Sequence, residues 1–383
     1  MEKEIGIYIH IPFCKSKCFY CNFASFCNME DYIEEYINAV CNEIIKNAEI
    51  LSEYKIKTVY FGGGTPSYID SKYICKIMNT LKLFNKVDDE FSEVTIEVNP
   101  NSVTLEKLIA YKECGINRLS IGLQSTNNEV LKYIGRLHTY DDFLITLKNA
   151  KKASFKNLSI DLIYPLPKMD ITVLKNTLET IGELKDEYNI NHISIYNLEV
   201  HENTKLDFLL KNDFLSLVDE DEEYQMRKFI FEKLKQLGYY KYEISNFAIK
   251  GHESKHNINY WNQGCYLGFG ASASSFMLGS RYKNIDDVKK YINAINNNLS
   301  TIDEKDDLDK LELMKEYVIL KLRLMDGIDI NKFNKKFSSD IVSIFGTEIN
   351  DLINKGLLIK KDNKIILTNR GEEVANIVWE NFI

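Results

Sequence analysis

The sequence contains no run of about 18 consecutive apolar residues, the length a membrane-spanning helix needs, so no transmembrane segment is expected. It also lacks an excess of positive charge. Lys plus Arg total 48 against 56 Asp plus Glu, a formal charge of −8. That balance makes a poor general binder of phosphate backbones, and no nucleic-acid partner is expected. Met1-Glu-Lys-Glu-Ile carries neither a basic stretch nor an apolar one, so no secretory signal is read and a cytoplasmic location follows. Eight cysteines in 383 residues are too few for a disulfide scaffold. No internal repeat is visible. What is present is an ordinary globular composition, 45% apolar and 27% charged. At ~150 residues per domain the length suggests two or three domains.

Strand patterns at 5–13, 57–64, 93–99, 117–124, 157–164 and 192–200 alternate with helical patterns at 30–51, 72–84, 105–114, 141–153, 171–188 and 222–237. Asn28 is read as the cap of the first helix and Gly115 as a left-handed end of the third. Six such units imply an α/β fold with a parallel sheet and right-handed crossovers, a partial (βα)6 TIM-like barrel over residues 1–238. Residues 239–300 are an aromatic and Gly-rich extension ending in a solvated linker, Asn296-Asn-Asn-Leu-Ser and then Asp303-Glu-Lys-Asp-Asp. Residues 301–383 read as three helices, a hairpin turning at Asp362-Asn363 and a closing helix, a winged-helix-like α+β domain expected to pack or bind a partner rather than DNA.

Alternate strand residues face opposite sides of a sheet. One set is apolar: Ile9 and Ile11, Val94, Ile96 and Val98, Leu119, Ile121 and Leu123, Ile160 and Leu162, Ile193 and Ile195. The other holds Tyr8, His10, Thr95, Glu97, Asn99, Ser120, Gly122, Gln124, Ser159, Asp161, Ser194 and Tyr196. A closed barrel fills its interior with branched apolar residues. Here the apolar set is expected to face the helices and the polar set to line a cavity.

Cys14, Cys18 and Cys21 form a C-x3-C-x2-C loop directly after the first strand. Three thiolates on one loop can hold three irons of a cubane and leave the fourth open. The alternative is a zinc site completed by Cys27 or His10. Cys41, Cys75, Cys114 and Cys265 read as buried thiols.

Tyr8-Ile-His-Ile-Pro-Phe-Cys14, this loop and Gly62-Gly-Gly-Thr65-Pro66 together resemble radical S-adenosylmethionine (SAM) proteins, and among them the oxygen-independent coproporphyrinogen III oxidase family. The likeness continues through Ile96-Glu-Val-Asn-Pro100, Gly122-Leu-Gln124, Gly135-Arg136 and Asp161-Leu-Ile-Tyr-Pro-Leu-Pro167. It implies a [4Fe-4S] cluster on Cys14, Cys18 and Cys21, with SAM chelating the open iron. It also implies a SAM site built from Gly63, Gly64, Thr65, Glu97, Gln124, Arg136 and Asp161, with Tyr8 beside the cluster and Tyr20 against the adenine. Glycine permits close backbone approach, and Arg136 offers a forked donor to a carboxylate.

The oxidases of this family carry a further cysteine two positions after the third, where this chain has Phe23, and a substantial segment ahead of the first strand, where only 13 residues precede Cys14. Both departures resemble the related heme chaperones, as does His256-Asn-Ile-Asn-Tyr-Trp261. That likeness implies heme as cargo, His256 as an axial ligand, a homodimer, peripheral membrane contact and transfer of heme to respiratory proteins. The oxidase reaction, decarboxylation of porphyrinogen propionates to vinyls, is the alternative. If His256 is not the ligand, His138, His201 or a cysteine takes its place.

Overall fold

The computed structural model describes residues 3–84 and 91–383. Six parallel strands run side by side in chain order: β1 (Glu4–Ile11), β2 (Lys55–Gly63), β3 (Glu93–Val98), β4 (Arg118–Gln124), β5 (Leu158–Tyr164) and β6 (Ile190–Asn197). Each is followed by helix, as six strand–helix units require, so the expected partial barrel is present and stays open. The β6 edge is extended antiparallel by a hairpin of β7 (Tyr240–Glu243) and β8 (Asn246–Ala248). The β1 edge is extended by β9 (Tyr266–Phe269), parallel to β1, and then antiparallel by β10 (Ser274–Met277), β11 (Ser280–Asn284) and β12 (Ile302–Asp307). The sheet therefore has 12 strands.

Side-chain alternation decides which face meets the helices. Ile7, Ile9, Ile11, Val94, Ile96, Leu119, Ile121, Leu123, Ile160 and Ile193 are fully buried against helical Ile37, Val40, Ile44, Ile74, Ile77, Leu108, Leu147 and Leu178. At ~1.5–3 kcal/mol for each large aliphatic side chain taken from water, this layer dominates the stability of the sheet. Asp70, Thr104, Thr139 and Asp170 cap the helices that follow, Thr139 in a reciprocal box with Asp142. Gly115 ends helix Leu105–Cys114 at φ 108°, the left-handed conformation read from the sequence.

Three expectations need correction. The pattern at 30–51 is a short 3-10 turn and two helices, Ile33–Lys46 and Ala48–Glu53, interrupted at Asn47; Asn28 adopts φ 57° and caps neither. The aperiodic stretch 252–279 forms helix Lys255–Trp261 and two strands, shaped by pairing to distant strands rather than by local pattern. Asp303–Asp307 is no linker but lies in β12, whose six residues are all exposed. An edge strand with no buried face shows no alternation, and its charges discourage pairing with another sheet.

A second apolar core joins Met314, Val318, Leu322, Phe333, Ile341, Leu352, Leu358, Ile365 and Phe382. It lies between helices Lys310–Lys321, Ile330–Phe337 and Ile341–Asn354 and a three-stranded antiparallel sheet of β13 (Ile328–Asp329), β14 (Leu358–Lys361) and β15 (Lys364–Leu367). That is the winged-helix-like arrangement expected, with β13 unforeseen and the closing helix split into Asn369–Glu373 and Ala375–Glu380. Backbone bonds Ile244 to Arg323 (3.1 Å) and Met325 to Tyr242 (3.0 Å) tie this unit to the large sheet. The Arg323 guanidinium is sandwiched between the two tryptophans, 4.4 Å from the ring of Trp261 and 4.7 Å from that of Trp379. Among the described residues no helix is long and apolar enough to cross a membrane.

Candidate functional site

The cysteine loop leaves the C-terminal end of β1 and is pinned on several sides. Cys14 N–H donates to Phe26 O (2.9 Å), Phe26 N–H to Pro12 O (2.7 Å) and Phe19 N–H to Ile134 O (3.0 Å). Gly64 N–H donates to Ile11 O and Thr65 N–H to Phe13 O, both at 2.9 Å, so the glycine loop after β2 lies directly against the cysteine loop. Gly63, at φ 111°, leaves no room for a side chain: a Cβ would stand 2.5 Å from the His10 ring. A Cβ on Gly64 would meet Pro12 at 2.9 Å and the Cys14 sulfur at 3.0 Å. These two positions need glycine for close approach, not merely for a turn.

Cys14 is buried, and Cys18 and Cys21 are half-buried. Cys14 Sγ lies 3.4 Å from Thr65 Oγ1, and Arg136 Nη1 donates to Cys18 Sγ at 3.4 Å. Burial pushes the Cys14 and Cys21 thiols up, so binding must displace their protons. Among the described residues no three His, Cys, Asp or Glu side chains gather closely enough to share one metal ion. One zinc would draw all its thiolates to ~2.3 Å from a single centre. Three thiolates spaced along one loop suit a cluster in which each takes a separate iron. His10 is committed elsewhere: Tyr8 OH lies 3.0 Å from its Nδ1 and Ala24 O 2.8 Å from its Nε2.

The polar faces of β2 to β5 bring the remaining residues to the same end of the strands. Glu97 accepts from Tyr60 OH at 3.0 Å and from the Gly63 N–H. Removal from water, with Asp161 nearby, pushes its carboxyl up to about 7. Asp161 accepts from Ser120 Oγ on both oxygens, at 3.1 and 3.0 Å, and from Ser194. Burial raises its pKa, while these hydroxyls, Arg118 and Arg136 oppose the rise. Arg136 donates to Gly122 O (2.8 Å) and to His138 Nδ1 (3.3 Å); a Cβ on Gly122 would stand 2.9 Å from both Arg136 Nη2 and Gln124 Nε2. Burial opposes the charge of Arg136, but Tyr20 and Cys18 beside it hold it cationic. Tyr8, Tyr20, Thr65, Glu97, Arg136 and Asp161 each keep partial exposure, whereas the opposite sheet face keeps none. The cavity is open toward the loops.

Two buried acceptors there have no partner, Gln124 Oε1 and Asn99 Oδ1. Buried polar atoms are nearly always bonded, so orphans at one end of a cavity suit a ligand with donors to spare. SAM offers an ammonium and two ribose hydroxyls, and the residues present fit it. Beside them lies a cleft of about 220 Å³ lined by Lys15, Cys18, Thr65, Asn99, Ser102 and Gly135.

His256 is not part of this site. It is 1% exposed, its Nδ1 lies 2.8 Å from Thr58 Oγ1 and its Nε2 2.7 Å from Tyr260 OH. Burial, then Arg118, pushes its pKa down to about 3. Thr58 precedes Gly63 by five residues of β2, placing His256 roughly 16 Å from the glycine loop at ~3.3 Å per residue. The expectation that His256 ligates heme is therefore corrected: both ring nitrogens are taken and the ring is closed to solvent. His138 is also engaged, by Arg136 and by Leu123 O at 3.3 Å. Tyr60 and Arg118 are absent from the sequence reading, and Asn99 enters it as a cavity-lining residue without a role. All three share the polar face by period two with Gly62, Glu97 or Gly122, which is the signal that locates them.

An open parallel sheet with a three-cysteine loop at the ends of its strands defines a radical SAM protein. The pattern of the Radical SAM superfamily matches residues 8–181, and that of the HemN C-terminal domain matches residues 308–372. The heme chaperone HemW of Lactococcus lactis subsp. lactis is 35% identical across 100% of this chain and 98% of its own length. That of Bacillus subtilis is 33% identical, covering 98% of both. The chain belongs to the HemW-type heme chaperone family, within the radical SAM superfamily. The structure of Escherichia coli coproporphyrinogen III oxidase (HemN) superposes with a TM-score of 0.86 at 23% identity, over 100% of this chain and 90% of that one, a likeness of fold. Membership of the superfamily implies a [4Fe-4S] cluster and SAM.

Proposed function

We propose that this protein is a heme chaperone that holds a [4Fe-4S] cluster on Cys14, Cys18 and Cys21, binds SAM beside it, and delivers heme to respiratory apoproteins in the cytoplasm or at the membrane surface. The observation that carries the reading is full-length identity of 35% and 33% with proteins named heme chaperones. Phe23 supports it: where the oxidases carry a cysteine this side chain is 62% exposed. When bound, the cluster supplies an electron and an open coordination site for SAM. The chain's own residues position the cofactor. Arg136 pairs with its carboxylate, Glu97 and Gln124 receive its ammonium and ribose, and Asp161 accepts from a ribose hydroxyl. Gly63, Gly64 and Thr65 bring backbone close to the methionine end, Tyr20 flanks the adenine, and Tyr8 packs beside the cluster.

For heme, elimination among six histidines points to His201. His10, His138, His192 and His256 are buried with both ring nitrogens engaged. His252 follows β8 near the start of β6, at the end of the sheet away from the cysteines. His201 is half-exposed, with Glu199 at 3.6 Å, in the loop after β6. That loop leads into helix Lys205–Lys211, whose Leu206 N–H donates to Phe19 O of the cysteine loop at 2.8 Å. An imidazole there can bind ferric or ferrous heme at the cluster end of the molecule.

The fold shared with HemN favours a second reading, coproporphyrinogen III oxidase. Anaerobic reconstitution followed by parallel assays separates the two. Heme binding without conversion of coproporphyrinogen III is expected; sustained decarboxylation with SAM and a reductant would overturn the chaperone reading.

A further inference from the structure

Outside the cluster loop, two further cysteines lie together. Cys75 is on helix Ser71–Lys82, which follows the glycine loop of β2, and Cys114 is the last residue of helix Leu105–Cys114, which precedes β4. The helices pack side by side against the outer face of the sheet. The two side chains lie close enough to influence each other's protonation. Cys75 Sγ also donates to Ala110 O and Cys114 Sγ to Tyr111 O, each at 3.4 Å, so both thiols rest on one turn of the second helix. They are free thiols, Cys75 half-buried and Cys114 buried.

We propose that Cys75 and Cys114 form a redox site, in which Cys75 attacks a low-molecular-weight disulfide and Cys114 resolves the product into an intrachain disulfide.

Three observations support the division of labour. Cys75 reaches solvent and Cys114 does not. The Cys75 thiol is pushed down by the Cys114 thiol beside it and by Lys82, against burial and the carboxylates of Glu113 and Asp70. By contrast Cys14, Cys21, Cys27, Cys41 and Cys114 all move up. The Lys82 ammonium stands over the end of the Cys114 helix, 3.5 Å from where a Cβ of Gly115 would lie. An accessible thiol with thiolate character beside a resolving cysteine is the arrangement reversible oxidation requires.

The chemistry balances with a small disulfide such as oxidised glutathione. The Cys75 thiolate attacks one sulfur, the sulfur–sulfur bond breaks, and one glutathione leaves as thiolate. Cys114 then loses its proton, attacks the Cys75 sulfur and releases the second glutathione. Two protein thiols are oxidised, and one disulfide is reduced to two thiols. The helices already touch, so the bridge would link two neighbouring elements, and the cluster cysteines take no part.

The test uses anaerobically reconstituted, cluster-loaded protein treated with oxidised glutathione and mapped by non-reducing peptide mass spectrometry. A linked pair of peptides carrying Cys75 and Cys114 is expected, with two thiols lost per chain and iron content unchanged. Cys114→Ser should stop at a glutathione adduct on Cys75, and Cys75→Ser should leave Cys114 unmodified. The proposal is overturned if both residues stay reduced while Cys27 reacts, or if wild-type Cys75 accumulates the adduct without forming the bridge. The wild-type map alone decides the question should either variant misfold.

Discussion

Replacing Glu97 by Gln should weaken SAM binding and at the same time stabilise the protein, increasingly so as pH rises. The Glu97 carboxyl is raised from 4.5 to about 7 in the folded state, mainly by removal from water and then by Asp161. The folded protein therefore holds this proton more tightly than the unfolded chain, and stability falls as pH climbs between the two values. At ~1.36 kcal/mol per unit the full shift costs about 3 kcal/mol above pH 7, and about 1 kcal/mol at pH 5. Partial exposure of Glu97 to the open cavity screens the penalty, so about 2 kcal/mol at pH 8 is the working figure. Gln keeps an acceptor for Tyr60 OH and Gly63 N–H but never ionises, so the variant escapes the cost. Urea unfolding of SAM-free, cluster-loaded protein at pH 5 and pH 8 measures it. The gain in stability should be small at pH 5 and at least twice as large at pH 8, while SAM affinity falls. Equal gains at both pH values would refute the claim that a desolvated carboxylate is being held for a cationic ligand.

Other predictions test separate parts of the site. Cys18→Ala should lose the four-iron signal after anaerobic reconstitution and Cys27→Ala should keep it, read by iron and sulfide content and the visible spectrum. Arg136→Ala should weaken SAM binding tenfold or more in calorimetry, since a charged hydrogen bond is worth ~1.5–3 kcal/mol and ~1.4 kcal/mol is tenfold. His201→Ala should shift the heme absorption spectrum or lower heme affinity. His256→Ala should leave the heme spectrum in place and cost about 2–4 kcal/mol in chemical unfolding, because Thr58 and Tyr260 would each lose a buried partner.

The parts of the molecule legible in the sequence are those governed by local rules. Strands β1 to β6 show because one face is uniformly apolar and the other polar, and the helix end at Gly115 shows because capping chemistry is local. The cysteine and glycine loops show because they follow strands at fixed spacing. The charged strand β12 does not, since no side of it is buried. Cys75 and Cys114 look like isolated helical thiols until α-helical packing brings them together. His256 misleads for a related reason. Sequence reveals an imidazole within a motif, but only the fold shows that Thr58, about 200 residues earlier on β2, occupies one nitrogen while Tyr260 occupies the other.

The two ends of the strands differ in how their polar groups are satisfied, and that difference argues for where ligands bind. Near the strand starts, His192 pairs with Ser159 and Tyr242, His256 with Thr58 and Tyr260, and Glu93 receives the N–H groups of Lys255 and His256. Arg118 Nε, Thr95 Oγ1, Asn157 Oδ1 and Trp261 Nε1 are among the exceptions there. Such a network closes the floor of the cavity and holds helix Lys255–Trp261 in place, a positioning task for its histidine. At the strand ends, Asn99 and Gln124 keep unpaired acceptors, Glu97 and Asp161 hold their protons more tightly than usual, and Arg136 supplies a half-buried cation beside the cysteines. Unsatisfied acceptors and strained carboxylates are costs that packing alone does not require. A cationic, hydroxyl-rich cofactor would satisfy these groups together, so the end of the sheet where folding is least favourable is also the end built for binding.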